Sequence, residues 1–422
     1  MSFNAVEYIR SFSHTGKKVT DLSRIAGLLK RLGDPQKGQR FVHIAGTNGK
    51  GSVLEYMSSV TMAAGYRTGQ FTSPFVECYN DRIRINGENI PDKRLEEICE
   101  KVKSAVSDEC YSQFEITLSI AFIYFKEENC QIVFLETGIG GLLDATNVIE
   151  APAVSVITSV SLDHTQLLGD TAAEIAVHKA GIIKRGCPVV LSADNPEEVR
   201  KVVRKRADEC SSRLVIPDAE KCSIEKENIY GSEFVYKGRR YTVSMCGKHQ
   251  VANAITAIEC IELIRNYGFE ISDDNIRNGF CAAKVKLRIE MIGKNPLVIA
   301  DGGHNIAGID SLVNVIKPLG CNIIGVAGMV KGKAAEYAAA RLSEILDYVY
   351  CADGFIENNI DAAELCTFFK CSAEVADYHT ALQKAIADAR EKNCAVLICG
   401  SLYLASAARR EYFSEADSGK EL

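Results

Sequence analysis

The sequence predicts an α/β protein with two domains, each built on a mostly parallel sheet. Short apolar segments of strand length alternate with longer segments whose apolar residues recur at helical spacing, as expected for strands joined by helices. The alternation starts at Phe41 and, after a hairpin pattern, starts again at Leu297. A chain of 422 residues is also too long for one ordinary core. We therefore predict domains that span residues 1–286 and 287–422.

The elements follow one another regularly along the first predicted domain. Two helical patterns come first, within residues 2–33. Apolar runs then predict strands at 41–45, 67–71, 132–135, 153–158, 188–191 and 214–216. Helical spacing predicts helices at 92–106, 114–128, 171–183, 196–209 and 251–264. Residues 77–91 are polar and contain the turn Asn86-Gly87, so they form either a loop or a hairpin, and a second hairpin is predicted at 229–245.

The second predicted domain repeats the alternation over a shorter length. Its predicted strands lie at 297–300, 322–327, 348–351 and 395–399. Its predicted helices lie at 306–316, 334–346, 361–369, 380–392 and from 402 onward. About 135 residues is within the usual size of one domain.

Composition excludes several classes of protein. The net charge of −6 argues against a nucleic-acid partner. The N-terminal residues lack the apolar region of a signal peptide, and no stretch approaches the roughly 18 apolar residues of a membrane span. We therefore expect a cytoplasmic protein without a membrane partner. The 16 cysteines are scattered without a C-x-x-C pair, which favours small buried hydrophobes over a zinc or iron–sulfur site.

Residues 41–52 read FVHIAGTNGKGS, an apolar strand that runs into a glycine-rich turn with one lysine. Such a turn, followed by a helix predicted to begin near Ser52, directs N–H groups, the helix dipole and the Lys50 ammonium toward one point, which suits phosphate. The pattern departs from GxxxxGK[ST], because three residues separate Gly46 from Lys50 and Gly51 follows the lysine. An ordinary glycine-rich turn is the alternative to a nucleotide site.

Polar residues follow other predicted strands, at the sheet edge where open α/β proteins place their chemistry. Ser73 and Glu136 follow two of these strands, and Glu136 is either a metal ligand or a carboxylate that caps the next loop. His164 follows a third strand, although a lone histidine is more often structural. Lys179 lies in an apolar helical pattern, where it either snorkels or has a special role. Asn253, in the first turn of a helix, is either an ordinary helix residue or a nucleotide contact.

Six segments resemble, in order and spacing, motifs of the folylpolyglutamate synthase/dihydrofolate synthase family of the Mur ligase superfamily. They are GTNGKGS at 46–52, SP at 73–74, LETGIGGLLDATN at 135–147, LDHTQLLGDTAAEIAVHKAGIIK at 162–184, GKHQVANA at 247–254 and DGGHN at 301–305. The resemblance covers essentially the whole chain. It implies a P-loop-type ATP-binding domain with a mostly parallel sheet, a smaller Rossmann-like C-terminal domain that binds glutamate, and a substrate cleft between them.

The resemblance also implies roles for individual residues. The residues matched to ATP phosphate binding are Gly49, Lys50, Gly51 and Ser52, and those matched to other ATP contacts are Asn253, Arg288 and Asp301. The residues matched to ligands of two Mg²⁺ ions are Ser73, Glu136, His164 and a carbamylated Lys179. The segment matched to the pterin substrate is Leu143, Asp144 and Ala145. The residues predicted to take part in catalysis are Lys50, Lys179 and, as a proton acceptor, His304.

The implied reaction is ATP-dependent ligation of L-glutamate to tetrahydrofolate, to dihydropteroate or to both, through an acyl phosphate, with release of ADP and phosphate. We expect a monomer that acts on small molecules only. The alternatives are another Mur-type amide ligase and a catalytically inactive nucleotide-binding protein. Three departures from the family pattern bear on these alternatives: Leu142 replaces a usual arginine, Lys286-Leu287 replaces Pro-Gly before Arg288, and Gly303 replaces an alanine.

Overall fold

The computed structural model describes residues 4–13, 20–107, 109–331 and 334–417. These residues form two compact units. The first takes its described residues from Met1–Glu225, Glu233–Ser244 and His249–Ala283, and the second from Lys226–Ser232, Met245–Lys248 and Lys284–Leu422. The division that we expect at 286/287 stays a prediction.

An eight-stranded sheet organises the first unit. Its strands are β1 (Phe41–Ala45), β2 (Thr68–Phe71), β3 (Ile83–Ile85), β4 (Glu88–Asn89), β5 (Ile132–Glu136), β6 (Val154–Ile157), β7 (Val189–Leu191) and β8 (Leu214–Val215). Their order is β4-β3-β2-β5-β1-β6-β7-β8, and all neighbours are parallel except the β2–β3 and β3–β4 pairs. Every residue of β1 and β5 is buried, which explains their continuous apolar character.

Helices precede, connect and follow these strands. They are α1 (Ala5–Arg10), α2 (Ser23–Arg31), α3 (Lys50–Ala63), α4 (Asp92–Ala105), α5 (Gln113–Glu127), α6 (Thr165–Leu168), α7 (Ala172–Ala180), α8 (Glu197–Glu209), α9 (Lys248–Arg265) and α10 (Asp273–Ala282). Short 3₁₀ turns lie at Tyr79–Arg82, Ala145–Val148 and Ala219–Lys221. One apolar core packs α1, α2, α4 and α5, and another packs α7 and α8. A small sheet follows β8, with strands β9 (Cys222–Asn228), β10 (Gly231–Tyr236) and β11 (Arg239–Val243).

A six-stranded sheet organises the second unit. Its strands are β12 (Glu290–Lys294), β13 (Leu297–Ala300), β14 (Ile323–Ala327), β15 (Tyr348–Asp353), β16 (Ser372–Asp377) and β17 (Ala395–Cys399), in the order β12-β13-β17-β14-β15-β16. Only β12 is antiparallel to its neighbour. The helices are α11 (Ile306–Ile316), α12 (Ala335–Leu342), α13 (Ala362–Phe368), α14 (Tyr378–Lys392) and α15 (Leu402–Asp417), with a 3₁₀ turn at Lys317–Leu319.

The predicted fold class, an α/β protein with mostly parallel sheets, is confirmed, and the strands absent from the prediction share one property. β9, β12 and β16 each lie at the edge of a sheet. Each of these strands mixes polar residues with apolar ones, so it lacks the continuous apolar run that marks a buried strand. Residues 77–91, predicted as a loop or a hairpin, contain the β3–β4 hairpin.

Two further details complete the comparison with the sequence. The helix after the phosphate loop begins at Lys50, two residues before the predicted start near Ser52. Residues 1–3 and 14–19, which overlap the helical patterns predicted at 2–33, lie outside the described residues. No helix in the described part of the chain is long and apolar enough to cross a membrane.

Candidate active site

The glycine-rich turn between β1 and α3 needs glycine at position 49 for two independent reasons. Gly49 has φ +85°, a conformation that side chains disfavour. A Cβ atom at Gly49 would also lie 2.5 Å from Oδ1 of Asn253, a buried residue of α9. The turn and Asn253 therefore pack directly against each other. We call residues 46–52 the phosphate loop from here on.

Hydrogen bonds fasten the phosphate loop to the segment that follows β6. Thr47 donates its N–H to the carbonyl of Ser159 at 2.7 Å. Thr158 donates its hydroxyl to the carbonyl of Asn48, also at 2.7 Å. Because β1 and β6 are parallel neighbours, this contact joins two loops at the same sheet edge. Sequence reasoning missed Thr158, whose one signal is a small hydroxyl residue directly after a buried strand.

The Lys50 ammonium folds back over the turn. Its Nζ donates to the carbonyls of Gly46 at 3.1 Å and Thr47 at 3.3 Å. Nζ also lies 3.9 Å from Oε1 of Glu136, at the end of β5. The cation is thus held at the first turn of α3 by neutral carbonyls and one carboxylate. An anion bound there would meet both the ammonium and the positive end of the helix dipole.

Glu136 lies next to the segment that follows β2. Its Oε2 accepts the N–H of Ser73 at 3.3 Å, and its side chain is buried. The capping function that was the alternative for Glu136 belongs to Asp144, whose Oδ2 accepts the N–H groups of Gly138 and Ile139 at 2.9 and 3.0 Å. The structure therefore keeps Glu136 close to Ser73 and Lys50, and Asp144 within its own loop.

Lys179, on α7, is the buried cation of this site. Lys179 is 4% exposed, and its Nζ donates to the carbonyl of Gly46 at 2.7 Å. The same carbonyl receives Lys50, so two ammonium groups converge on one oxygen. Burial lowers the pKa of Lys179 to about 7, helped by Lys50 and opposed by Asp163 and Asp144. Burial therefore favours the neutral amine over the ammonium at this position.

His164 is the exposed member of the predicted set. It has φ +50° and precedes the short helix α6. Its Nε2 lies 3.8 Å from Oδ2 of Asp163, and its backbone N–H donates to Oδ1 of the same carboxylate at 2.9 Å. Asp163 thus accepts a hydrogen bond from the His164 backbone and lies beside its ring.

The loop after β5 exposes apolar side chains on a backbone that is held by hydrogen bonds. Leu142 and Leu143 are 41% and 37% exposed, whereas Asp144 and Ala145 are buried. Asn147 donates its amide to the carbonyl of Leu142 at 3.0 Å. We call residues 138–147 the acceptor loop from here on, because the resemblance predicts that Leu143, Asp144 and Ala145 lie beside the pterin substrate. Burial raises the pKa of Asp144, although the four hydrogen bonds it accepts work in the opposite direction.

In the second unit, Asp301 holds an unusual stretch of backbone. It follows β13, and its two oxygens accept the N–H groups of Gly303 at 2.7 Å and Ile289 at 2.9 Å. Leu287 and Ile289 have φ +57° and +50°, values that are rare for residues with large side chains. Between them, the Arg288 side chain is exposed. Burial raises the pKa of Asp301, and Arg288 opposes the rise.

A second carboxylate fastens the same stretch. Glu290 accepts the N–H of Leu287 at 2.9 Å and is held by Arg409 through two hydrogen bonds of 2.9 and 2.8 Å. His304 lies beyond Asp301, with Nδ1 3.0 Å from the carbonyl of Gly302. Leu287 occupies the position where the family pattern has glycine, and its positive φ is the conformation that glycine favours. This agreement supports the alignment of Arg288.

The structure thus forms two groups of predicted residues. The first unit gathers around the phosphate loop Lys50, Ser73, Glu136, Lys179 and Asn253. The second unit contains Arg288, Asp301 and His304. Among the described residues, no three His, Cys, Asp or Glu side chains form a metal-binding group. A metal at the phosphate loop would therefore need ligands of other kinds besides Glu136.

Comparisons with known proteins agree over nearly the whole chain. Residues 44–261 match the Mur ligase middle domain, and residues 287–402 match the Mur ligase glutamate ligase domain. The chain is 34% identical to folylpolyglutamate synthase of Lacticaseibacillus casei, covering 96% of this chain and 97% of that protein. It is 34% identical to dihydrofolate synthase/folylpolyglutamate synthase of Bacillus subtilis, covering 97% and 99%. A solved folylpolyglutamate synthase complex with AMPPCP and folate is similar, with TM-score 0.84, 33% identity and coverage of 96% and 98%.

Proposed function

The chain belongs to the folylpolyglutamate synthase/dihydrofolate synthase family of Mur ligases, and from this premise we propose that it joins L-glutamate to a folate acceptor at the site around Lys50. Membership makes it an ATP-dependent amide ligase. The observation that carries the proposal is the convergence of Lys50, Ser73 and Glu136 on the phosphate loop.

The reaction needs an activated carboxylate, because a carboxylate and an amine do not condense unaided in water. Transfer of the ATP γ-phosphate to the acceptor carboxylate forms an acyl phosphate and releases ADP. The amine of glutamate then attacks the acyl carbon, the C–O bond to phosphate breaks, and the amide and inorganic phosphate are released. Both steps need charge neutralisation and alignment more than covalent help from the protein.

The chain supplies cations and donors for these steps. Gly49, Lys50, Gly51 and Ser52 open α3, where free N–H groups and the dipole suit phosphate. Lys50 is held there by carbonyls, so it can neutralise charge that develops on the transferred phosphoryl group. We assign further ATP contacts to Asn253, Arg288 and Asp301.

The residues near the phosphate loop fit Mg²⁺ by their chemistry. Mg²⁺ prefers hard oxygen ligands and usually combines one or two carboxylates with water and substrate phosphate. Glu136 and Ser73 supply a carboxylate and a hydroxyl residue on adjacent strand ends. We assign one Mg²⁺ to these two residues and a second to His164 with a carbamylated Lys179. The ions would neutralise phosphate charge during transfer.

Carbamylation of Lys179 is supported by its surroundings. An unpaired ammonium is costly in a buried site, whereas a carbamate is an anion with two oxygen ligands. The buried Nζ lies 2.7 Å from the Gly46 carbonyl, next to the Lys50 cation that would balance the new negative charge. Carbamylation would therefore replace a costly buried cation with an anionic ligand for Mg²⁺.

Removal of Lys179 tests this assignment. Lys179→Ala is expected to lose most of its turnover and to regain part of it when short carboxylates are added, because they can occupy the place of the carbamate. Lys50→Ala, assayed with the same additives, should not recover and serves as the control. Full activity of Lys179→Ala without additives would contradict the carbamate.

The acceptor loop and the second unit provide the remaining assignments. Leu143, Asp144 and Ala145 are assigned to the pterin side of the acceptor, where Leu142 presents an apolar side chain in place of the family arginine. His304 is assigned as the proton acceptor for the glutamate amine. Its Nδ1 faces the Gly302 carbonyl, so a proton on Nδ1 would leave Nε2 as the basic nitrogen. A monomeric state and a cytoplasmic location stay predictions.

The test is a paired assay with tetrahydrofolate and dihydropteroate. Purified protein with ATP, Mg²⁺ and glutamate should release phosphate only when an acceptor is present, and mass spectrometry should find the glutamylated product. Turnover of one acceptor or of both distinguishes a monofunctional from a bifunctional enzyme. Phosphate release with a UDP-muramyl substrate alone, or ATP binding without acceptor-dependent turnover, would contradict the proposal.

A further inference from the structure

Strand β1 carries a buried histidine three residues before the phosphate loop begins at Gly46. His43 is 0% exposed, and its Nε2 lies 2.8 Å from Oγ1 of Thr146, which is also fully buried. Thr146 belongs to the acceptor loop. A side-chain contact thus connects the strand that leads to the phosphate loop with the loop assigned to the folate acceptor.

The direction of this hydrogen bond follows from its next partner. The Thr146 hydroxyl donates to Oδ1 of Asp144 at 2.5 Å, so its single proton is already used. His43 must therefore donate from Nε2–H to Thr146. This tautomer leaves Nδ1 without a proton, and Nδ1 is buried without a partner among the described residues. Burial lowers the pKa of His43 to about 3, with Lys184 contributing, so the ring is neutral near pH 7.

The chain of hydrogen bonds ends on the backbone of the acceptor loop. Oδ1 of Asp144 also accepts the N–H of Thr146 at 3.0 Å. Oδ2 accepts the N–H groups of Gly138 and Ile139, at the start of the loop. Asp144 therefore closes the loop on itself, and His43 and Thr146 fix the closed loop to β1. Because the Thr146 hydroxyl and three backbone N–H groups all donate to Asp144, this network favours one arrangement of the loop.

We propose that His43 is a positioning residue for the folate acceptor, acting through Thr146 and Asp144 on the acceptor loop. The inference rests on the proposed function, since it takes Leu143 and Ala145 to lie beside the acceptor. One strand then positions both substrates: its backbone continues into the phosphate loop, and the His43 side chain holds the acceptor loop. Sequence reasoning passed over His43 as one of the residues of a buried strand.

A pair of substitutions at His43 tests the role. His43→Phe keeps a ring of similar size but removes the donor, whereas His43→Gln keeps an N–H donor near the place of Nε2. Loss of one neutral hydrogen bond should raise the acceptor KM about five- to tenfold in His43→Phe. Affinity for AMPPCP, measured by calorimetry, should stay within about twofold of the wild type, because the phosphate loop keeps all its contacts. His43→Gln should restore most of the acceptor KM.

Substitution of Thr146 provides the second arm and guards against a folding defect in His43→Phe. Thr146→Val should raise the acceptor KM in the same way, and Thr146→Ser should not. The double variant His43→Phe/Thr146→Val should show no larger effect than the stronger single variant, because both break one chain.

The outcomes separate this inference from the function on which it rests. An unchanged acceptor KM in His43→Phe and Thr146→Val, or an equal loss of AMPPCP affinity, would overturn the positioning role while wild-type turnover remains. A lower melting temperature with an unchanged acceptor KM and an unchanged AMPPCP affinity would also overturn the positioning role. That result would describe a histidine that only stabilises the fold. Absence of wild-type turnover with either acceptor would instead overturn the proposed function.

Discussion

The phosphate loop and the Leu287–Asp301 stretch each present a cation on unusual backbone, but they stabilise that backbone differently. In the phosphate loop, the position with strongly positive φ in the turn is glycine, and the cation Lys50 folds onto neighbouring carbonyls. In the second stretch, Leu287 and Ile289 adopt positive φ despite their large side chains, and Arg288 between them is exposed.

The difference lies in what offsets the backbone strain. A left-handed conformation costs roughly 1–2 kcal/mol for a residue with a side chain and little for glycine. In the second stretch, carboxylates compensate: Asp301 accepts the N–H of Ile289, and Glu290 accepts that of Leu287. Hydrogen bonds to a charged group contribute about 1.5–3 kcal/mol each, enough to balance the strain. The first region should therefore suffer from an added side chain, and the second from a lost carboxylate.

Lys50→Ala should have the largest effect, because it removes the cation of the phosphate loop. Removal of one preorganised group that stabilises transition-state charge typically costs about 10²–10³ in kcat. We expect turnover to fall by that factor, measured as acceptor-dependent phosphate release. The melting temperature should change little, since Lys50 is bound to neutral carbonyls and its carboxylate contact is 3.9 Å long.

The control for this prediction is Lys37→Ala. Lys37 is an exposed lysine of the same unit, paired with Asp34 at 2.8 Å, and an exposed pair contributes little to stability. Its removal should leave turnover unchanged. Undiminished turnover of Lys50→Ala would refute the phosphate site. The phosphate loop would then present no cation that takes part in the reaction.

Asp301→Asn should have an intermediate effect, because it weakens the hydrogen bonding that offsets backbone strain at Ile289. An asparagine offers one acceptor oxygen, so either Ile289 or Gly303 loses its partner. The strained stretch should become less stable by about 2 kcal/mol, measured by urea denaturation. We also expect kcat/KM for ATP to fall about tenfold, since Arg288 loses its fixed backbone and Asp301 is itself assigned as an ATP contact.

The matched control is Asp353→Asn. Asp353 also ends a parallel strand of the second sheet and accepts an N–H, from Gly354 at 2.7 Å, but Gly354 is a glycine at φ +75° and carries no side-chain strain. Its substitution should cost less stability and leave kcat/KM for ATP unchanged. Equal losses in the two variants would mean that Asp301 does nothing more than an ordinary loop carboxylate.

The sequence allowed the fold class, the family and the phosphate loop to be predicted, because each depends on local signals. Buried parallel strands are apolar runs, and a glycine-rich turn before a helix has a characteristic pattern. Lys50, Ser73 and Glu136 could be placed near one another because parallel strands end at one edge. The same logic could not place β9, β12 and β16, which are edge strands without a continuous apolar run.

The remaining features depend on contacts between residues distant in sequence. The link from His43 to Thr146 joins positions 103 residues apart, and no pattern around either residue indicates it. Thr158 and the positive φ of Ile289 are equally invisible, since a threonine after a strand and an isoleucine before one are common. Local sequence thus identifies the groups that do the chemistry, whereas tertiary contacts determine the residues that hold them.

Gly49→Ala should have the smallest effect of the three and tests the glycine side of the comparison directly. Its φ of +85° and the 2.5 Å approach of Asn253 Oδ1 mean that a methyl group adds backbone strain and displaces Asn253. We expect a loss of about 1–2 kcal/mol in the free energy of unfolding.

Gly51→Ala is the matched control, because no atom outside its own helix lies within 4 Å of a Cβ there and alanine favours the helix. Urea denaturation of both variants measures the two losses. If Gly51→Ala is as destabilised as Gly49→Ala, the phosphate loop does not depend on glycine at its left-handed position. The phosphate loop and the second stretch would then not differ in how they accommodate positive φ.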